Sequence, residues 1–169
     1  MLRWHWDGEF LVKWHKSTFI INNDKKAYKD LDTYTSDLIF RSWEKFRTYR
    51  NTLRIRIIKI EKMIGIGVNS TKRSIYVGKD IGEVSMWIRP VILQNSYTIC
   101  VKTPEYTSER TIPCELDTIS CQVDLEHNTI TFRINEEIFE VINYKLDKKD
   151  YYYYANMKLG YGSRVECML

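Results

Sequence analysis

Apolar and polar residues alternate through most of the chain. Leu53, Ile55 and Ile57 alternate with Arg54 and Arg56, which predicts a strand with one buried face. The parity slips at Ile57-Ile58, so that Ile58 and Ile60 continue on the other phase; a β-bulge accounts for such a slip. Ile64, Ile66 and Val68 alternate with Gly65 and Gly67. Ile119, Cys121, Val123 and Leu125 alternate with Ser120, Gln122 and Asp124, and Ile130, Phe132 and Ile134 alternate with Thr131 and Arg133. Met157 with Leu159, and then Val165, Cys167 and Leu169, close the series.

Turn chemistry separates these runs. Glu126-His127-Asn128-Thr129 reads as a hairpin in which Asn128 takes the left-handed conformation. Asn135-Glu136-Glu137 joins the next pair, and Gly160-Tyr161-Gly162-Ser163 precedes the last strand. Helical spacing is nearly absent. Residues 37–49 come closest, through Leu38, Ile39, Trp43 and Phe46, and are expected to form a short helix or an irregular loop near the N-terminus. The pattern predicts an all-β fold of short antiparallel strands, a sandwich or a barrel.

Composition narrows the class. A chain of 169 residues suits one domain, with 44% hydrophobic and 28% charged residues and only seven Gly and three Pro. That excludes a disordered tail, a collagen-like repeat and a low-complexity scaffold. No apolar stretch approaches the roughly 18 residues of a membrane span, so no membrane partner is expected. The opening MLRWHWDGEF has no apolar run suited to a signal peptide, and an intracellular, cytoplasmic location with reduced thiols is expected. The net charge of +4 permits an acidic partner without demanding one.

Candidate chemistry is sparse. None of Cys100, Cys114, Cys121 and Cys167 forms a C-x-x-C pair. Cys121 and Cys167 read as small core residues, and Cys114, after Pro113, is the best candidate for an exposed thiol. A nucleophilic set of Cys121, His127 and Asp124 founders on an inward cysteine and a histidine in a turn. His5 with Asp7 reads as a polar segment, not a metal site. Gly65-Ile66-Gly67 lacks the third glycine of a nucleotide fingerprint, since Ser70 stands there. Arg41, Lys45, Arg47, Arg50, Arg54, Arg56 and Lys59, interleaved with Trp43, Phe46 and Tyr49, form the best nucleic-acid argument. Glu44 and Glu61 interrupt it and the net charge is small, so nucleic acid is not the expected partner. Tyr151 to Tyr154 read as an aromatic strand entry, with exposed members suited to an interface.

The strand order resembles the SPRY/B30.2 domain family. VDLEHNTITFRIN (123–135) is similar to the family's "v-D-l-d-x-g-t-i-s-f-x-v-N-g" pattern, and EIFEVI (137–142) to its next strand. Tyr154 to Leu159 is similar to "Y-P-a-v-s-l", with Ala155 where proline is usual, and residues 160–167 to the glycine turn and closing strand. Upstream, TLRIRIIKI, IGIGVNS and IYVGKD fall in the same order as the family's strands, and Glu83-Val84-Ser85-Met86-Trp87 stands where it has "s-W-G". The resemblance spans residues 17–169, leaving 1–16 as an N-terminal extension. It implies an antiparallel β-sandwich of concanavalin-like jelly-roll type.

The resemblance also implies a non-catalytic module that recognises a peptide or protein through loops at one end of the sandwich, as an adaptor or assembly subunit. No cofactor is implied. The loop positions carried over are Lys72 and Arg73, Tyr106, and the Tyr161-Gly162-Ser163 turn. Two other readings stay open. One is a structural subunit held by broad surfaces, favoured by Trp4, Trp6 and Trp14. The other is a lectin-like sandwich, for which Asn22-Asn23-Asp24 is the sole candidate cluster.

Overall fold

The computed structural model describes the backbone of residues 12–15, 18–22, 38–41, 50–70, 83–92, 95–145, 153–160 and 162–168, and the side chains of 52–68, 83–92, 95–145, 159–160 and 162–166. Thirteen strands run through these residues. They are β1 (Val12–His15), β2 (Thr18–Asn22), β3 (Leu38–Arg41), β4 (Arg50–Lys59), β5 (Ile64–Ser70), β6 (Val84–Val91), β7 (Ser96–Lys102), β8 (Thr107–Ile112), β9 (Thr118–Asp124), β10 (Thr129–Ile134), β11 (Glu137–Asn143), β12 (Tyr153–Leu159) and β13 (Arg164–Met168). They form a seven-stranded sheet in the order β1-β2-β13-β4-β9-β10-β11 and a six-stranded sheet in the order β3-β12-β5-β6-β7-β8. All the pairings are antiparallel.

The alternating residues supply the core. Leu53, Ile55, Ile119, Cys121, Val123, Ile130, Phe132, Ile134 and Val165 come from the larger sheet. Ile64, Ile66, Val68, Val84, Met86, Ile88, Ile99, Val101 and Leu159 meet them from the smaller one. Each inward face is apolar because side chains alternate faces at every residue. The slip at Ile57-Ile58 is a bulge: Val165 pairs with Ile57 and Arg164 with Lys59, leaving Ile58 unpaired. Ile58 points to solvent while Ile57 and Ile60 pack on the core, so the parity changes around Ile58 and not through it.

The smaller sheet is covered on both faces along β6, where the five residues from Val84 to Ile88 are all buried. Trp87 and Cys100 form a second apolar cluster with Met63 on the reverse face. The Trp87 indole N–H donates to Ser85 Oγ at 2.8 Å, and Lys102 Nζ sits 5.4 Å from the ring centroid.

Two expectations change. Leu38–Arg41, the start of the segment expected to be a helix or irregular, is strand β3, paired with β12 from Leu38–Leu159 to Arg41–Asn156. A neighbouring strand edge supplies the backbone hydrogen bonds that a short isolated helix would have to form alone. Residues 42–49 lie outside the described residues. Val12–His15 pairs with β2, from Val12–Ile21 to His15–Thr18, so the ladder begins inside the 1–16 segment. The 75–80 strand, Trp4, Trp6, Asn23, Asp24, Tyr151 and Tyr152 lie outside the described residues, as do the side chains of Trp14 and Cys167.

The register defines two ends. The Ser70 end carries the Tyr153–Ser70, Ser85–Lys102 and Lys102–Thr107 pairs. The opposite end carries Leu159–Ile64, Ile64–Ile88 and Val91–Ser96. Chain crossings from β4 to β5 and from β12 to β13 both lie at this second end, the Gly160 end. At the Ser70 end the Tyr144 hydroxyl donates to Glu83 Oε2 at 2.7 Å, tying the two sheets together.

Phe132 is fully buried at the centre of the core. Phe132→Ala is expected to cost about 3–5 kcal/mol, seen in urea as a lower midpoint with an unchanged slope.

Candidate functional site

The Thr103–Tyr106 turn connects β7 to β8 at the Ser70 end. Thr103 N–H donates to Tyr106 O at 2.9 Å, and the Thr103 hydroxyl donates to the same oxygen at 3.2 Å. In return, Tyr106 N–H and Glu105 N–H donate to Thr103 Oγ1 at 3.0 and 3.2 Å. The backbone is therefore pinned while the Tyr106 ring remains 44% exposed. Partial burial, with the negative charges of Glu140 and Glu105, pushes the Tyr106 phenol above its usual pKa. Its hydroxyl is neutral at physiological pH and can donate a hydrogen bond.

The Gly160–Ser163 turn has a different character. Ser163 is completely buried. Its hydroxyl donates to Glu61 O at 2.7 Å and accepts from Glu61 N–H at 2.8 Å. Gly160 N–H donates to Met63 O at 2.9 Å, and Ser163 N–H to Gly160 O at 3.0 Å. A Cβ on Gly160 would lie 2.8 Å from the carbonyls of Glu61 and Met63, and one on Gly162, at φ +88°, would collide with the Glu61 carboxylate. These residues clasp the β4–β5 turn, and a partner cannot reach the Ser163 hydroxyl.

The six carried-over positions do not converge. Tyr106 lies at the Ser70 end, and Gly162 and Ser163 lie at the Gly160 end, separated by the length of β5, about 20 Å at roughly 3.3 Å per residue. Lys72, Arg73 and Tyr161 lie outside the described residues.

The hairpin residues that carry the family resemblance are structural. Asp124 Oδ1 accepts from Glu126 N–H and His127 N–H, both at 3.1 Å, and Oδ2 lies 3.0 Å from His127 Nδ1. Asn128 takes φ +51°, as its position in the turn predicts. Asn135 Oδ1 accepts from Asp117 N–H at 2.8 Å and Thr118 N–H at 3.1 Å, while its amide donates to Glu115 O at 2.6 Å. That side chain fastens the β8–β9 connection to the next hairpin. Asn135 and Glu136, at φ +51° and +70°, form the two-residue loop between paired Ile134 and Glu137. Positive φ at both positions is the signature of a type I′ turn, which favours glycine second. Glu136 occupies that place and pairs with Arg54 and with the Thr118 hydroxyl.

Asp124, Glu126 and His127 bring ligand atoms within 4.8 Å of one another. Both Asp124 oxygens already serve the turn, so its cap role is sufficient reason for the cluster. Cys121 is buried, which pushes its thiol up to about 12 and keeps it from acting as a thiolate with His127. Cys114, expected to be exposed, is half-buried and its thiol pKa is raised by that burial. Among the described side chains of β4, Arg54 pairs with Glu136, Arg56 with Glu166 at 2.6 Å and Lys59 with Glu61 at 2.8 Å. This pairing removes much of the phosphate-binding argument for that strand.

One surface was not singled out by the sequence. The outer edges of the two sheets meet at β8 and β11. Arg110 Nη2 donates to Phe139 O at 3.0 Å, with its guanidinium 4.1 Å from the Phe139 ring centroid. Ser108 Oγ donates weakly to Glu140 Oε1 at 3.5 Å. Beside this seam Ile138 is 61% and Val141 49% exposed. The EIFEVI pattern alone could not separate an inward residue from an outward one, because a bulge at Phe132/Arg133 changes the register.

The fold is similar to that of the TRIM65 PSpry domain, at 10% identity and a TM-score of 0.56 over 78% of this chain and 70% of that one. It is similar to the SPRY domain of human HERC1, at 15% identity and a TM-score of 0.55 over 97% of each chain. It is also similar to part of stonustoxin, at 10% identity and a TM-score of 0.58, over 98% of this chain and 26% of that one. No family model and no curated protein sequence matches the chain. The chain has a SPRY-like fold: an all-β sandwich of two antiparallel sheets.

Two predictions follow from the turn chemistry. The hydrogen bond from His127 N–H, followed by the other bonds and charge at this turn, holds the Asp124 carboxyl below the usual carboxylate range. A carboxylate whose folded pKa is depressed stabilises the fold above its unfolded value, about 3.9, and loses that contribution as pH falls through the folded value. Asp124→Asn should therefore be less stable than wild type at neutral pH, with the gap narrowing below about pH 4 in denaturation series. Ser163→Ala removes the acceptor of Glu61 N–H and one of the two donors to Glu61 O, and should cost about 1–3 kcal/mol in the same assay.

Proposed function

We propose that this chain is a non-catalytic protein-interaction module that recognises a peptide or protein surface through the Ser70 end of the sandwich. The observation that carries the reading is Tyr106: an exposed aromatic side chain on a turn whose backbone is held by its own hydrogen bonds. An aromatic ring on a rigid loop offers flat apolar contact and a hydroxyl at low entropic cost. The SPRY-like fold supports the reading, since its stiff sheets leave the loops free to vary. Lys72 and Arg73 follow β5 in sequence and would favour a carboxylate-bearing partner. Tyr161, Gly162 and Ser163 are set aside as contacts, because Gly162 and Ser163 serve the clasp on Glu61.

The test is co-purification of the tagged chain from its native cell, with partners identified by mass spectrometry. Tyr106→Ala combined with Arg73→Glu should remove the partner. Tyr161→Ala, which alters the opposite end, should leave it in place. Retention of every partner by both variants would contradict loop recognition and favour a structural subunit held by broad surfaces. The N-terminal segment offers a separate check on that second reading. Deletion must stop before Val12, because β1 contributes a strand to the larger sheet.

A further inference from the structure

The β11 edge of the larger sheet, which runs up to the Ser70 end at Tyr144, has the features of a second docking surface beside it. Tyr144 N–H donates to Asn128 O at 3.0 Å, just beyond the last β10–β11 pair. Alternation in an antiparallel ladder then turns the backbone groups of Ile142 and Glu140 toward β10, and those of Val141 and Asn143 away from it. The Phe139 carbonyl faces the same way and accepts from Arg110. Among the described residues no hydrogen bond to the outward groups of Val141 or Asn143 is present. Such an edge is a template for another strand.

Side chains add chemistry to this edge. Ile138 pairs with Arg133 and Val141 with Thr131, which places both on the outer face of the sheet, and both are exposed. They offer an apolar strip beside the open backbone. The charged side chains on β11 itself are acidic, Glu137 and Glu140. Of the cations beside them, Arg110 lies over the Phe139 ring, Arg133 opposite Ile138 donates to Gln122, and Lys145 follows the strand. Glu140 Oε2 is withdrawn from solvent and has no hydrogen-bond partner among the described residues. A carboxylate oxygen in that state is costly until a donor or cation reaches it.

We propose that β11 receives an extended, basic segment of a partner protein, added antiparallel as an eighth strand. Alternate apolar residues of the segment cover Ile138 and Val141. Its intervening Lys or Arg residues face Glu137 and Glu140, supplying the cation that Glu140 lacks. Main-chain bonds provide the affinity in this mode, and the alternating side chains provide the specificity.

The probe is a capped synthetic peptide of alternating valine and lysine, about seven residues long to match a typical strand. It is titrated into the isotopically labelled full chain, with amide shifts and amide exchange followed by NMR. The account expects slowed exchange at Val141 and Asn143. Val141→Pro removes an edge donor without touching the β10 ladder, and should weaken binding about tenfold. Val141→Lys keeps the backbone donor but places a cation on the apolar strip, and should weaken the lysine peptide similarly. Unchanged thermal unfolding in at least one variant establishes that the loss is not one of folding. Equal binding of a valine–glutamate peptide, undiminished binding by both variants, or no slowing at Val141 and Asn143 would overturn the proposal. So would sedimentation showing a dimer that Val141→Lys dissolves, since the edge would then belong to a second copy of this chain.

Discussion

Everything in this molecule depends on burying the inner faces of two sheets against each other. Leu53, Ile55, Cys121 and Phe132 on one side and Ile64, Ile66, Met86 and Ile88 on the other have almost no solvent exposure. Because side chains alternate with a period of two, burying one face commits the other to the outside. A slip of one residue would exchange core for surface along a whole strand. The bulge at Ile58 shows how the chain handles such a slip, since one extra residue in β4 restores the phase for Ile60 and the turn into β5. Sheet-to-sheet burial thus sets the register, and the register sets which loops share an end.

Several side chains hold that register in place. Asp124 closes the β9–β10 hairpin and Asn135 the β10–β11 hairpin, and Asn135 also draws in the connection from β8. Ser163 binds the β12–β13 turn to the β4–β5 turn. The Asn135 and Ser163 clasps lie at the Gly160 end, and the Asp124 clasp lies at the Ser70 end. The Ser70 end and the β11 edge keep more of their capacity exposed: Tyr106 at the first, Ile138 and Val141 at the second. A scaffold whose turns are held by their own hydrogen bonds while a few apolar side chains stay exposed is suited to holding a partner.

Much of the fold could be read from the sequence, and the reasons are local. β4 and β10 each have one buried face, so they alternate cleanly, and β9 alternates apolar with polar residues although Thr118 and Ser120 are buried too. β6 was legible only through the blurred resemblance at Val84 to Trp87, because both its faces are buried and alternation vanishes. β8 escaped for the opposite reason: its residues are exposed or half-exposed throughout. The short β3 resembled a helix start because four residues carry too little period to decide. The site was less legible. The family pattern over 123–135 combines core residues such as Val123, Ile130, Phe132 and Ile134 with Asp124 and Asn135, which cap and turn hairpins. A signal made of core packing and turn chemistry identifies a fold and says little about a partner. Carrying loop positions over by order alone also joined Tyr106 to Gly162 and Ser163, which pairing registers far along the chain hold at opposite ends.

The most direct measurement is amide exchange across the chain, taken alone and in complex with a partner obtained by co-purification. The account predicts slowing in the Thr103–Thr107 segment at the Ser70 end, with Gly160, Gly162 and Ser163 unchanged because they lie at the opposite end of the sandwich. Slowing confined to residues 160–163, with the Thr103–Thr107 segment unaffected, would contradict it.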